Sequence, residues 1–283
     1  PTIPLPEAFY NRLVEAFRSY MLVGGMPEAV ATYTETGSYR YSSDIVNEII
    51  QGYQDDFAKY GAKANPLLLR QTLISVAHQA GAKFVYSRVE GQYRSADVKV
   101  ALEMLKDAGL IIPTYHTEAN GVPLGAEINE RVVKYLIHDT GVLLGILGID
   151  DDIDERIKEM MVADSIDLVD KGHVAEMMAG LELIKYSSPQ KRHQLYYWQN
   201  MNKGTCAEVD YVIARSGSIV PIEVKSGVKG SMSSMYSLMR NPQKHIEMGI
   251  RCSLENFGTF ASPDGKKIDI IPLFAISNLF AEK

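Results

Sequence analysis

One pair of apolar runs limits what this chain can fold into more than any other stretch. CAEVDYVIA and IVPIEVK are separated only by RSGS, and Gly217 can supply the positive φ that a tight turn needs. Whether the loop has two or four residues, the cross-strand register is the same, and it sets Asp210 opposite Glu223. The sequence therefore predicts one antiparallel hairpin that carries two opposed carboxylates.

The alternation of side chains along the hairpin places an ammonium beside this pair. Successive strand residues point to opposite faces, so Lys225 shares a face with Asp210 and Glu223. Opposed carboxylates repel each other, and a divalent cation would offset that repulsion. Mg²⁺ is typically held by one or two carboxylates together with water and phosphate oxygens. The pattern favours metal-assisted phosphodiester hydrolysis, in which Lys225 stabilises the transition state or orients the attacking water.

The N-terminal part of the chain shows helical periodicity. Apolar residues recur at helical spacing over residues 9–20 and 45–57. This periodicity predicts a helical segment over residues 1–64.

Two further helices and a hairpin are predicted next. Asn65 and Pro66 provide an N-cap and a first-turn proline, and Ser95 can cap the second helix. Asn120-Gly121 is the strongest short hairpin signal in the chain. Helix, helix and hairpin in this order predict a winged-helix-like domain over residues 65–127, whose second helix would enter a DNA major groove.

The charges on the second helix leave its role open. Between residues 83 and 107, lysines and arginines alternate with aspartates and glutamates, and a strongly basic stripe is absent. DNA binding and a helical packing or dimerisation module are both compatible with this pattern.

The rest of the chain is predicted to be a mixed α/β unit over residues 128–283. A strand ending at His138 is followed by a turn over residues 139–141, and a helix in GHVAEMMAGLELIKY carries Glu176 on one flank of its apolar stripe. The hairpin and the final apolar strand follow. The predicted fold class is therefore α/β, or α+β overall.

Composition narrows the class of protein. A net charge of -6 argues against a protein that coats nucleic acid non-specifically. No apolar run reaches the roughly 18 residues of a membrane span, and the N-terminus lacks a signal peptide, so we expect a cytoplasmic location and no membrane partner. Cys206 and Cys252 have no companion at metal-ligand spacing, so neither a zinc site nor a disulfide is expected.

Several of these features carry a resemblance to known families. Asp210, the Glu223-Val224-Lys225 run on the next strand and Glu176 on a preceding helix resemble the signature of the PD-(D/E)XK nuclease superfamily. Over nearly the whole chain, the order of GGMPEAV, the winged-helix-like middle, KYLIHDTGV, YYW, EVDYVI and PIEVKSG is similar to the C-terminal region of a family of prokaryotic AAA+ type ATP-binding proteins.

This resemblance implies a mixed-sheet, restriction-endonuclease-like domain after the helical and winged-helix-like part. It also implies that Asp210 and Glu223 bind Mg²⁺ or Mn²⁺, that Lys225 assists catalysis, that Glu176 supports the site, and that DNA is the substrate. In that family an ATPase module precedes this region. No G-x-x-x-x-G-K-[ST] sequence exists here, so we expect ATP binding only in an N-terminal module that this chain lacks, and no ATPase activity from this chain.

Two departures from the family pattern keep a second function open. Gln199 follows the YYW run where a basic residue is common, and Pro221 removes one ladder donor inside the second strand, which implies an edge position or a bulge. An E-x-K triplet is also often an ordinary surface ion pair. The alternative is a non-catalytic DNA- or protein-interaction or regulatory module of an ATPase, with a degenerate nuclease site.

Overall fold

The computed structural model of the protein describes residues 3–60, 65–148, 171–187, 194–200, 207–227 and 230–280. Internal contacts divide the chain into two units. The first, here called the sheet unit, comprises Pro1–Val14, Thr114–Val133 and Lys171–Lys283; the second, the helical unit, comprises Glu15–Pro113 and Lys134–Asp170. Neither unit is one continuous stretch of sequence. The predicted division at residues 64 and 127 stays a prediction.

Most helices belong to the helical unit. They are α1 (Glu7–Val23, whose first half lies in the sheet unit), α2 (Pro27–Thr36), α3 (Tyr39–Phe57), α4 (Pro66–His78), α5 (Ser95–Asp107) and α6 (Thr140–Ile146). Short 3₁₀ turns lie at Ala58–Tyr60 and Tyr86–Arg88. Helices α4 and α5 bury the stripes that their periodicity predicts. In α3 the buried residues are Tyr39, Ser42, Val46, Ile50 and Phe57, whereas Ile45, Ile49 and Tyr53 are only half-buried.

The starts of α4 and α5 follow the sequence signals to different degrees. The Asn65 side chain caps α4 by accepting a hydrogen bond of 2.9 Å from the main-chain N–H of Leu67, with Pro66 as the first helical residue. Ser95 is not the cap of α5 but its first helical residue. Arg94 takes the cap position without a side-chain cap bond, because a guanidinium has only donors and cannot accept from a helix N–H. It binds Asp97 instead.

The predicted turn over residues 139–141 is instead the start of α6. Asp139 is the N-cap, and its carboxylate accepts hydrogen bonds from Val142 N at 3.0 Å and from Gly25 N at 2.6 Å. Gly24 has a φ of +79°, and a Cβ there would lie 2.3 Å from Asp139 Oδ1. The glycine pair that ends α1 therefore lets the chain approach the cap of α6 closely enough to bond it.

The strands form two mixed sheets. The first has the order β2-β1-β3-β4, from β1 (Ile111–Thr117), β2 (Ile128–Ile137), β3 (Leu195–Gln199) and β4 (Glu208–Val209). The second has the order β5-β6-β7-β9-β8, from β5 (Tyr211–Arg215), β6 (Ser218–Val224), β7 (Met248–Ser253), β8 (Gly258–Ala261) and β9 (Lys267–Pro272). Helices α7 (Lys171–Lys185) and α8 (Ser233–Arg240) and three 3₁₀ segments (Leu124–Glu127, Pro242–Lys244 and Leu273–Leu279) complete the described elements.

Pairing within the second sheet is both parallel and antiparallel. Strands β5 and β6 form the predicted antiparallel hairpin, β6, β7 and β9 run parallel to one another, and β8 returns antiparallel to β9. Pro221 is paired with Val212 and causes no bulge. The expected edge position is wrong as well, because β6 lies between β5 and β7. The ladder with β7 begins only at Ile222 and does not include Pro221.

The predicted turn at Asn120-Gly121 does not join β1 directly to β2. Residues 118–127 form a longer loop instead, in which Ala119 and Leu124 are buried in the core of the sheet unit with Trp198. Lys244 Nζ binds the loop by donating to Glu118 O and, at 2.9 Å, to Asn120 Oδ1. Tertiary packing thus overrides the local turn signal.

The architecture confirms the predicted fold class at the level of a mixed α/β protein. Helices come first, and two mixed sheets with interspersed helices follow. Within the described part of the chain, no helix combines the length and the apolar character needed to cross a bilayer.

Candidate functional site

The charged hairpin has the register that its sequence predicts. Arg215 pairs with Ser218, and the ladder continues to Tyr211 and Ile222. The turn has two residues, Ser216 and Gly217, with φ of 49° and 77°. Positive φ at both positions is the turn geometry that matches the twist of a hairpin. The ladder ends there, and Asp210 forms a bend between β4 and β5.

Asp210 is anchored across the hairpin although β5 begins only at the next residue. Its Oδ2 accepts a hydrogen bond of 2.7 Å from the main-chain N–H of Val224. The carboxylate is therefore fixed beside the strand that carries Glu223.

Glu223 is a buried carboxylate with incomplete bonding. The residue is only 5% exposed. Oε1 accepts a bond of 2.6 Å from Lys225 Nζ, whereas the buried Oε2 has no hydrogen-bond partner among the residues that the structure describes. Burial, followed by the nearby charge of Asp210, raises the pKa of Glu223 to about 7, and Lys225 offsets only part of that rise. A further positive charge at Oε2 would stabilise the ionised form.

Glu176 is connected to this hairpin through Tyr211. The Tyr211 hydroxyl donates to the main-chain oxygen of Glu176 at 2.8 Å, and Tyr211 pairs with Ile222 on the face opposite to Glu223. Glu176 itself is buried, and burial, then the charges of Glu176 and Asp210, raise the pKa of Tyr211. The structure thus brings Asp210, Glu223 and Lys225 together and attaches the Glu176 helix from the other face. The supporting role of Glu176 stays a prediction.

Sequence reasoning did not single out Arg251, which lies next to the site. It is the cross-strand partner of Glu223 on β7, and it is 5% exposed. Its guanidinium binds Glu255, which also accepts a bond of 2.9 Å from Ser253 Oγ. The signal was present in the sequence, because an arginine inside the run GIRCSL is as unusual as the charges in the hairpin.

The residues present fit a hard divalent cation. Among the described residues, no group of three or more His, Cys, Asp or Glu side chains is arranged to hold a metal ion. The hairpin offers two carboxylates, and Mg²⁺ needs no more than one or two when water and phosphate oxygens complete its coordination. Mn²⁺ also suits such oxygen donors. Oε2 of Glu223, which accepts no hydrogen bond within the described part of the chain, is one candidate ligand atom.

The second helix of the predicted winged helix, α5, neutralises part of its own positive charge. Arg94 makes two bonds of 2.9 Å to Asp97, and Lys106 is paired with Glu103. These side chains would have to exchange carboxylates for phosphates to contact DNA. DNA binding through α5 stays a prediction.

Comparison with known families divides the chain into two matched regions. A domain of unknown function (DUF8612) matches residues 14–153, and another domain of unknown function (DUF4143) matches residues 171–275. The DUF4143 region is typical of the C-termini of ATPase-associated proteins, and it contains Glu176 and the whole charged hairpin. No curated protein and no solved structure matches the chain. The resemblance to ATP-binding proteins is confirmed at this level, and the nuclease assignment stays a prediction.

Proposed function

We propose that the chain is the C-terminal portion of an AAA+ type ATP-binding protein whose nuclease-like region cleaves phosphodiester bonds of DNA with Mg²⁺ or Mn²⁺. One observation carries this proposal. Asp210 accepts a hydrogen bond from the N–H of Val224, next to Glu223; Lys225 binds Oε1 of Glu223, and the buried Oε2 has no hydrogen-bond partner among the described residues. Two carboxylates and a lysine in this arrangement suit phosphoryl chemistry.

Asp210 and Glu223 are the proposed metal ligands. The Val224 N–H holds the Asp210 carboxylate in place, and Lys225 holds one oxygen of Glu223. The other oxygen of Glu223 remains for a cation. A bound divalent cation would polarise the phosphoryl oxygen and lower the pKa of a water molecule.

Lys225 is the proposed catalytic residue. Its side chain is 22% exposed, so the ammonium lies between the buried Glu223 and solvent. From there it can donate to a phosphate oxygen whose negative charge grows in the transition state. Glu176 supports the site through the bond of its main chain to Tyr211. DNA would reach the site through the nuclease-like region and the winged-helix-like segment.

The test combines cation binding with cleavage. Mn²⁺ titration by calorimetry and a plasmid cleavage assay are run on the wild type, Glu223→Gln and Lys225→Met. We expect Glu223→Gln to lose tight Mn²⁺ binding and cleavage, and Lys225→Met to retain binding and lose cleavage at least about 100-fold. The matched control is Glu182→Gln, since Glu182 is also a buried carboxylate paired with a lysine, and it should behave as the wild type. A wild type that binds no Mn²⁺ at millimolar concentration overturns the proposal.

The second candidate function is a non-catalytic DNA- or protein-interaction module. The 2.6 Å contact between Lys225 and Glu223 favours it, because it supplies the carboxylate with a counter-charge from the chain itself. In that case Glu223→Gln and the wild type would show equal affinity for DNA or for a protein partner, and neither would cleave DNA. A mobility-shift assay with both proteins separates the two functions.

A further inference from the structure

Gly230 packs its main chain against the stem of Lys225. A Cβ built at Gly230 would lie 2.6 Å from Lys225 Cδ, 3.1 Å from Cε and 3.3 Å from Cγ. The φ of Gly230 is +142°, a conformation that L-residues rarely adopt. The absence of a side chain therefore lets the main chain cover the lysine stem along three carbons and restrict its motion.

Arg251 holds the same glycine from its other side. Its Nη1 donates to Gly230 O at 3.4 Å, and its Nε donates to Glu255 Oε2. Ser253 fixes Glu255 through two hydrogen bonds. The Ser253 hydroxyl donates to Glu255 Oε2 at 2.9 Å, and Glu255 N donates to Ser253 Oγ at 3.2 Å. The guanidinium thus bridges a fixed carboxylate and the carbonyl of Gly230.

The burial of Arg251 requires a compensating role for its charge. An arginine that is 5% exposed loses most of its hydration, and its neighbours on β7, Ile250 and Cys252, are fully buried. Glu255 offsets the charge, but a neutral residue would have avoided the cost. The planar guanidinium donates hydrogen bonds in two different directions, to Glu255 and to the Gly230 carbonyl. A lysine ammonium cannot reproduce this geometry.

We propose that Arg251 is a positioning residue, which holds Gly230 against Lys225 and thereby keeps the Lys225 ammonium on Glu223. The connection runs from Glu255 through Arg251 and the Gly230 carbonyl to the lysine stem. Its effect on cleavage rests on the proposed function, whereas the immobilisation of Lys225 does not.

The first readout is the mobility of the lysine side chain, measured without metal or substrate. The wild type, Arg251→Lys and Gly230→Ala are labelled with ¹³Cε-lysine, the Lys225 signal is assigned with Lys225→Arg, and its relaxation is recorded. We expect Lys225 to be rigid in the wild type and as mobile in both variants as Lys99, an exposed lysine on α5. Arg240→Lys is the matched control, because Arg240 pairs with Asp264 away from this network, and it should leave Lys225 rigid.

The second readout is kinetic. If Lys225 is displaced from its position, kcat falls by roughly 10- to 100-fold while KM changes little, since the metal ligands and the substrate contacts remain. Arg251→Lys and Gly230→Ala change two different residues of the connection. Both should lower kcat and leave KM nearly unchanged.

Three outcomes are distinct. If Lys225 stays rigid in both folded variants, Arg251 has only a structural role and the proposal is overturned, whatever the melting temperature. If Arg251→Lys fails to fold, Gly230→Ala and Glu255→Gln decide by the same relaxation measurement. If Lys225 becomes mobile but the wild type cleaves nothing, the positioning role stands and the proposed function fails.

Discussion

At Glu223, burial and the negative charge of Asp210 both act against the ionised carboxylate, and Lys225 opposes them. The side chain stands next to Asp210 in a nearly dry position, and the lysine beside it removes only part of the resulting cost. The pKa of the carboxyl is therefore raised to about 7, and the proton and a cation compete for the same oxygen atoms.

This raised pKa predicts how stability depends on pH. Between 4.5, the ordinary pKa of the group, and about 7, the folded protein keeps a proton that the unfolded chain has lost. The stabilisation is therefore complete below pH 4.5 and is lost as the pH rises to about 7. We expect the wild type to lose on the order of 3 kcal/mol over this range relative to Glu223→Gln. Urea unfolding at several pH values measures the difference in the free energy of unfolding between the wild type and Glu223→Gln. Glu182→Gln controls for the general effect of replacing a buried carboxylate by an amide. A difference that does not change with pH would contradict the raised pKa of Glu223.

Sequence patterns could locate some residues of the site and not others. Asp210, Glu223 and Lys225 could be placed together because a turn and a period of two suffice to fix the register of a hairpin. Arg251 could be recognised as an unusual charge in an apolar run but not placed beside Glu223, because β7 reaches β6 only through a parallel crossover by way of α8, and no local pattern sets the register of such a pairing.

At the scale of elements, the turn of the hairpin lacks the residue pair that is most favourable for its geometry. Ser216 has a φ of 49°, and a residue other than glycine or asparagine is strained there. We predict that Ser216→Asn raises the free energy of unfolding by about 0.5 to 1 kcal/mol, since Asn-Gly is the preferred pair for this turn. Chemical denaturation measures the change. Ser218→Asn, one residue beyond the turn, should give no gain, and a gain of equal size there would refute the reason offered.

The loop over residues 118–127 depends on one lysine more than on its own sequence. Lys244 donates to Glu118 O and Asn120 Oδ1, and its Nζ lies 5.9 Å from the centre of the Trp198 ring. Burial lowers the pKa of Lys244, with the charges of Glu118 and Glu127 acting in the opposite direction. We predict that Lys244→Met costs about 1 to 3 kcal/mol and increases amide exchange in this loop.

Hydrogen exchange with mass spectrometry checks this prediction, with Lys267→Met, an exposed lysine of the same unit, as the control. Unchanged exchange in residues 118–127 of Lys244→Met would show that Ala119 and Leu124 hold the loop by packing alone. The same contacts explain why the Asn-Gly signal failed, because residues more than 120 positions apart in sequence determine the loop. Helix α6 was missed for a related reason, since its cap bonds a distant glycine.

At the scale of the whole molecule, the sheet unit is assembled from separate parts of the chain. Strand β3 pairs in parallel with β1 through Thr114 and Leu195, Tyr115 and Tyr196, and His116 and Tyr197. A fragment of residues 171–283 lacks these β1 partners and the buried Ala119 and Leu124. We predict that this fragment alone does not unfold cooperatively and that co-expression with residues 1–170 restores a cooperative transition. Circular dichroism during thermal unfolding distinguishes the cases, and a cooperative transition of the fragment alone would contradict the prediction.

The parallel pairing of β1 with β3 also affects how the two matched regions can recombine. The region that matches DUF8612 includes residues 114–133, yet these residues fold with the region that matches DUF4143. Recombination at the boundary between the two matched regions would separate a strand from its partner. We therefore expect a recombinant that joins one region of this chain to the other region of a relative to be less stable than either parent, because its β1 and β3 come from different chains.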